Sequence, residues 1–225
     1  MRIEPLGDSG LLVRVVERFE AEESLDAVLR ATRQLEVAQI PGVSGFAPAY
    51  TTIGVFFDPA QTAMFDEFRA GIERALENTV DGPARMAATI EVPVCYEGEF
   101  APDLEDVGKQ ADLSPEETIR RHAAADYRVS CVGFTPGFPY LSGLPPELAT
   151  PRRASPRKEI PAGAVAIGGT QTGIYPRKSP GGWNIIGRTP LALFDVERNP
   201  PALFHAGDRV RFRRIAREEF EAFSR

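Results

Sequence analysis

The chain is 225 residues long, 43% hydrophobic and 26% charged, with a formal net charge of -6. That length accommodates one large or two small domains without an oligomer to bury a core, and the composition is that of a folded protein. The acidic balance excludes general attraction to nucleic-acid backbones or anionic lipid, and no apolar run reaches the roughly 20 residues of a membrane span.

The amino terminus, Met-Arg-Ile-Glu-Pro-Leu-Gly-Asp, lacks the apolar core of a secretory signal. After the turn Gly7-Asp-Ser-Gly10, Leu11, Leu12, Val13, Val15 and Val16 read as a strand. Leu25, Val28, Leu29 and Leu35 fall near helical spacing within Ser24 to Ala38, and Pro41-Gly42 ends that helix. Ile53, Val55 and Phe57 alternate as a strand, and Phe65, Phe68, Ile72 and Leu76 mark a second amphipathic helix. This strand-helix-strand-helix order suits a small α+β unit with its helices on one face of a sheet.

Asn78 to Arg85 is polar and contains Asp81-Gly82-Pro83, a turn cluster suited to a linker. Beyond it, Ile90 to Tyr96 reads as a strand and two short helical stretches follow. Ser114-Pro-Glu-Glu117 starts the second with Ser as N-cap and Pro at the first helical position, which puts Ile119 and His122 near one face. The later apolar runs, Val129–Phe134, Ala164–Ile167, Trp183–Ile186, Leu191–Phe194 and Val210–Phe212, are short and separated by Gly and Pro. Such spacing predicts a β-barrel or sandwich. Cys95 and Cys131 stand outside any CxxC or zinc spacing, and are expected as reduced, buried thiols of a cytoplasmic protein.

Several segments carry chemistry. Gly168 to Gly173 fits GxxxxG, yet Ile174-Tyr175 stand where a phosphate-binding loop needs Lys and Ser or Thr, so it is not a Walker motif. Arg152-Arg153, Arg157-Lys158, Arg177-Lys178 and Arg188 place cations among conformationally fixed loops. Converging, they make a pocket for carboxylate or phosphate; separately, they are solvated surface charges. With only His122 and His205, a multi-histidine metal site is excluded, and there is neither GxSxG nor HExxH. His122 is either a general acid or base or a hydrogen-bonded core residue. Asp103 and Glu105 suit the dipole of a helix's first turn. Phe134-Thr-Pro-Gly-Phe-Pro-Tyr140 is a stiff aromatic loop that either walls a ligand pocket, binds a partner or caps the core, and Trp183 is open to the same readings.

Val92-Pro-Val-Cys-Tyr96, Phe100-Ala-Pro-Asp-Leu-Glu105, His122, Gly133 to Leu141, Pro156-Arg-Lys, Ile160-Pro-Ala-Gly163 and the whole Gly168 to Pro190 run, with Pro5 to Asp8 and Pro48-Ala-Tyr50 earlier, together resemble the family of 5-oxoprolinase B subunits. This is also called the allophanate hydrolase subunit 1 or Kip inhibitor family. The resemblance covers nearly the full chain. It implies an α+β protein with a small α+β amino-terminal domain, residues 1–84, and a cyclophilin-like β-barrel domain, residues 85–225. It also implies one member of a multi-protein enzyme, inactive alone, that joins a larger C subunit in a hetero-oligomer. With these two an A subunit carries out ATP-dependent hydrolysis of 5-oxo-L-proline to L-glutamate. Whether ATP touches this chain is left open, and no metal is expected. Relatives imply two alternatives: a carboxyltransferase half-site like that of urea carboxylase, or an inhibitor of a histidine kinase.

Opening an unstrained lactam breaks amide resonance, so coupling to ATP is read as phosphorylation of the carbonyl oxygen before water attacks. Arg157, Lys158, Lys178 and Arg188 are expected to stabilise the developing charge, with Gln171, Thr172 and Tyr175 orienting polar groups. His122 is expected to transfer a proton, and Phe138 and Trp183 to contact substrate.

Overall fold

The structure is a computed structural model, in which residues 1–62, 65–78 and 87–223 are described. It divides into two compact units, Met1–Met86 and Ala87–Arg225. Residues 79–86, which include the Asp81-Gly82-Pro83 turn cluster and the expected domain boundary after residue 84, lie outside the described residues.

In the first unit, strands β1 (Arg2–Pro5) and β2 (Gly10–Arg14) precede helix α1 (Ala21–Ala38), then β3 (Val43–Ala49), β4 (Thr52–Phe57) and helix α2 (Phe65–Glu77). The strands pair antiparallel in the order β1-β2-β4-β3. Alternation in β2 and β4 puts Leu11, Val13, Ile53, Val55 and Phe57 on one face, where they pack against Val28 and Leu35 of α1 and Phe68 and Ile72 of α2. β1 and β3 were not expected from the pattern. β3 reads Val-Ser-Gly-Phe-Ala-Pro-Ala, poor in strand formers, and it is a strand because β4 presents it a full ladder.

The second unit begins with β5 (Thr89–Val94) and a single 3₁₀ turn, Gly98–Phe100, then helices α3 (Leu104–Gln110) and α4 (Pro115–Ala124). The Ser114 hydroxyl accepts from the Glu117 N–H at 3.2 Å, as the capping pattern requires. Eight strands follow: β6 (Tyr127–Val132), β7 (Pro139–Ser142), β8 (Arg157–Ile160), β9 (Ala164–Gly168), β10 (Gln171–Ile174), β11 (Ser179–Gly181), β12 (Asn184–Arg188) and β13 (Arg209–Arg214), with α5 (Arg217–Ala222) last. Antiparallel pairing runs β6-β7-β10-β9-β12, while β13 pairs antiparallel with β6 and parallel with β5. β8 and β11 form a separate pair. Val92, Val129, Leu141, Val165, Ile167 and Ile186 fill the core beneath Val107 of α3 and Ile119 of α4.

This unit is therefore mixed helix and sheet, mostly antiparallel, and its ladders do not close a barrel among the described residues. Just past the end of β5, Cys95 forms an isolated bridge to Arg188 of β12, the two exchanging both backbone hydrogen bonds at 2.9 Å each. The expected strand Leu191–Phe194 is not one. Pro190 precedes the run and has no N–H to pair, the carbonyls of Ala192 and Leu193 accept from the Arg198 guanidinium at 3.2 Å each, and Phe194 makes only an isolated bridge to Ala202.

Candidate functional site

Asp103 sits at the start of α3, but its side chain does not cap the helix. It faces β12 instead. The Asp103 N–H donates to the Ile185 carbonyl at 3.0 Å and the Ile185 N–H donates to Oδ2 at 2.7 Å, so backbone and side chain are both fixed to one strand residue. Around this anchor two cations converge. Arg157 forks onto the carboxylate, Nη1 to Oδ2 at 2.8 Å and Nη2 to Oδ1 at 2.7 Å, and Arg153 Nη1 reaches Oδ1 at 2.7 Å. With Asp103 only 2% exposed, these charge-assisted bonds satisfy a group that could not otherwise be buried ionised.

Next to this cluster is a cavity of about 310 Å³ whose wall includes Glu99, Phe100, Arg157, Glu159, Ile185 and Arg188. Arg188 ends β12. Its Nε donates to the Ala162 carbonyl at 2.8 Å, and its guanidinium lies over the rings of Phe100 and Phe220, 5.9 and 5.7 Å from their centroids. Such stacking fixes the plane of the guanidinium. Glu159 pairs with Lys178 at 2.7 Å on the exposed surface, and Glu99 pairs with Arg217.

Of the residues expected to act, Arg157 and Arg188 thus share one cavity, and Lys178 touches its rim through Glu159. Lys158 is exposed on β8, and Gln171 opens β10 opposite Gly168. The others are placed elsewhere. His122 is fully buried: Nδ1 lies 3.0 Å from the Tyr96 hydroxyl and Nε2 3.2 Å from Thr172 Oγ1. Because Thr172 donates its own proton to the Ala166 carbonyl at 3.0 Å, its oxygen is left to accept from His122 Nε2–H. Nδ1 then accepts from Tyr96, whose hydroxyl burial keeps protonated by raising its pKa. Burial pushes the His122 pKa down to about 3. This closed, neutral chain has no opening to solvent, so the position of His122 does not support proton transfer, nor that of Thr172 contact with substrate.

Phe138, Tyr175 and Trp183 are likewise interior, 2%, 2% and 5% exposed; Phe138 packs edge to face with Tyr175 and with Trp183, and Trp183 does so with Tyr140. Arg152 covers the Trp183 ring at 5.8 Å. The glycine-rich run serves this cluster. A Cβ at Gly168 would stand 2.4 Å from the indole, one at Gly173 2.9 Å from Phe138, and one at Gly181 2.4 Å from the Tyr175 hydroxyl. Gly169, at φ +66°, and Thr170 turn the β9–β10 hairpin as a two-residue loop. A tight hairpin, not a loop opening a helix, occupies the GxxxxG segment, so these residues do not form a triphosphate cradle. Sequence reasoning missed Asp103 as the hub of the cations; its presence in Phe100 to Glu105, beside the family strings, was the available signal.

Residues 1–204 match the family described as carboxyltransferase domain, subdomain C and D. In an alignment of 232 positions that covers 99% of this chain and 96% of the relative, the chain is 41% identical to a Bacillus subtilis protein named as the B subunit of 5-oxoprolinase. The crystal structure of TTHA0988 matches with a TM-score of 0.79 at 39% identity over 92% of this chain, which spans only 40% of that longer one. Kluyveromyces lactis urea carboxylase shares the fold, with a TM-score of 0.73 at 20% identity over 98% of this chain and 22% of that one. Whole-length likeness to a named relative, together with the family match, places the chain in the family of 5-oxoprolinase B subunits.

Proposed function

We propose that this chain is the B subunit of an ATP-dependent 5-oxoprolinase, inactive alone, which hydrolyses 5-oxo-L-proline to L-glutamate with a larger C subunit and with an A subunit. The observation that carries this reading is the 41% identity to a 5-oxoprolinase B subunit across almost the whole of both chains. Lactam hydrolysis converts an uncharged amide into a second carboxylate and an amine, so negative charge develops on oxygen. Arg157 and Arg188 at one cavity, with Lys158 and Lys178 outside it, supply the complementary sign. ATP use is assigned to the assembled complex. We read the ring of strands that β12 and β5 nearly complete at Cys95 and Arg188 as an opened cyclophilin-like barrel. The two free, buried cysteines suit a reducing cytoplasm.

Reconstitution tests the function. Purified chain mixed with the A and C subunits, supplied with ATP and 5-oxo-L-proline, is expected to release glutamate, and the mixture lacking this chain is expected not to. Equal turnover without it removes the assignment.

The carboxyltransferase match favours a second reading, a half-site for carboxyl transfer from biotin. Carboxylation of a substrate that requires a biotinylated carrier, in place of ATP-driven lactam opening, would select it.

A further inference from the structure

The charged groups around the cavity are unequally matched. Arg153 and Arg157 bind Asp103, Lys178 binds Glu159, and Arg217 binds both Glu99 and Glu221. Arg188 has no carboxylate partner among the described residues; its one side-chain hydrogen bond is from Nε to the Ala162 carbonyl. Five cations therefore stand against four carboxylates, Asp103, Glu99, Glu159 and Glu221, a local excess of one positive charge on a chain whose net charge is -6.

Arg188 is also oriented. The Ala162 carbonyl holds one edge of the guanidinium and the Phe100 and Phe220 rings hold its plane, which leaves the Nη1–Nη2 edge for a two-point contact. Neither Nη atom is buried without a partner. A cation left unmatched on the surface is ordinary; one clamped on two sides at the wall of a cavity is arranged for an anion.

We propose that this cavity is a carboxylate-binding site in which the Nη edge of Arg188 holds the anion and Arg157, locked to Asp103, forms a fixed wall. The cavity's size, about 310 Å³, is at the small end of ligand pockets and limits the occupant to a compact molecule. Phe100, Ala164 and Ile185 line it with Pro102 and Pro161, so the body of the ligand is apolar. Glu99 and Glu159 at the same wall, paired with Arg217 and Lys178, keep lone pairs that can accept from an N–H on the ligand, and the single unmatched guanidinium balances a monocarboxylate rather than a phosphate dianion. These features describe a compact monocarboxylic acid with an apolar body and an N–H donor. Its identification as 5-oxo-L-proline rests on the function proposed above; the carboxylate site itself does not.

Calorimetric titration of the full chain with 5-oxo-L-proline, cyclopentanecarboxylate and inorganic phosphate tests both levels. The two carboxylates are expected to bind and compete, and phosphate to do neither. Arg188→Gln is expected to weaken carboxylate binding by about tenfold or more, with Arg188→Lys intermediate because it keeps charge and loses the fork. Shifts of the Ile185 and Arg188 backbone amides during titration locate the site without any substitution. Undiminished affinity in a folded Arg188→Gln variant, shifts confined to other regions, or no binding of either carboxylate overturns the site. Binding of cyclopentanecarboxylate but not 5-oxo-L-proline keeps the site and removes 5-oxo-L-proline as its ligand. If the assembled enzyme turns over with an unchanged KM in Arg188→Gln, the proposed function stands and the site falls.

Discussion

Asp103 and Arg157, 54 residues apart in sequence, face each other through two parallel hydrogen bonds of 2.7 and 2.8 Å, with the Asp103 side chain 2% and the Arg157 side chain 26% exposed. The same carboxylate takes the Ile185 N–H, so it ties β8, β12 and the start of α3 together. Asp103→Asn keeps the shape but presents an amide N–H₂ to guanidinium donors. Breaking a buried pair on one side leaves the other charge uncompensated. The variant is expected to lose about 2–4 kcal/mol of unfolding free energy in urea titrations. Arg153→Ala, removing a side chain 36% exposed with a single bond to Asp103, is expected to lose about 1 kcal/mol or less after solvent screening. Equal losses for the two would contradict the hub role.

His122 gives a pH dependence with a definite sign. Its pKa falls from an ordinary 6.5 to about 3 because burial disfavours the imidazolium, and Phe212 stacks on the ring 4.6 Å away. Below pH 6.5 the unfolded chain takes up a proton that the folded chain refuses. The stability that neutral His122 confers is therefore fully present above pH 6.5 and is lost as pH falls toward 3. His122→Gln is expected to be less stable than wild type at pH 7, with the gap narrowing by roughly 2 kcal/mol by pH 5. A gap that stays constant over that interval would mean the folded protein binds the proton after all.

Regular periodicity made α1, α2, β2 and β4 legible, because each buries one face and its apolar spacing records which. The Ser114 cap was legible for the same local reason. β3 was not, since Ser44, Gly45 and Pro48 carry no strand signal and the pairing comes from β4. Leu191 to Phe194 misled because an apolar run shows burial but not which groups take its carbonyls, here Arg198. At the site, Arg157 and Arg188 could be chosen by type, whereas Asp103 looked like a helix-start residue, its partners being 50 and 54 positions away. The glycine-rich run announced a prescribed backbone; that ring packing prescribes much of it depends on tertiary approach that spacing does not record.

Gly168 carries one such constraint. An added Cβ would meet three atoms of the Trp183 indole at 2.4–2.5 Å, and that ring is held by Phe138, Tyr140 and Arg152. Gly168→Ala is expected to cost about 1–3 kcal/mol as the indole shifts. Trp183 is the only tryptophan, so the shift is expected as a red-moved emission maximum. Gly182→Ala, where a Cβ finds nothing closer than 3.7 Å, is the control and is expected to fall within about 0.5 kcal/mol of wild type. An unmoved emission maximum in Gly168→Ala would show that the indole does not need the glycine.

Phe134 combines a 64% exposed ring with a positive φ of 64°. The Thr135 N–H donates to the Gly133 carbonyl at 2.7 Å, closing a γ-turn around it, a conformation that a side chain bearing a Cβ adopts at a cost of about 1–2 kcal/mol. Edge packing on Phe138, 5.7 Å away, offsets part of that cost. Phe134→Ala keeps the Cβ and loses the ring contact, so it is expected to destabilise. Phe134→Gly relieves the backbone but frees the unfolded chain, and is expected to be more stable than the Ala variant by about 1 kcal/mol. Urea midpoints of the two variants against wild type decide this; an Ala variant as stable as the Gly variant would mean the turn stores no strain. An exposed ring held in a strained turn also fits the partner-binding reading of this loop. On that reading both variants assemble less well with the larger partner protein despite their opposite effects on the backbone, and a Gly variant that assembles normally would remove the ring from the interface.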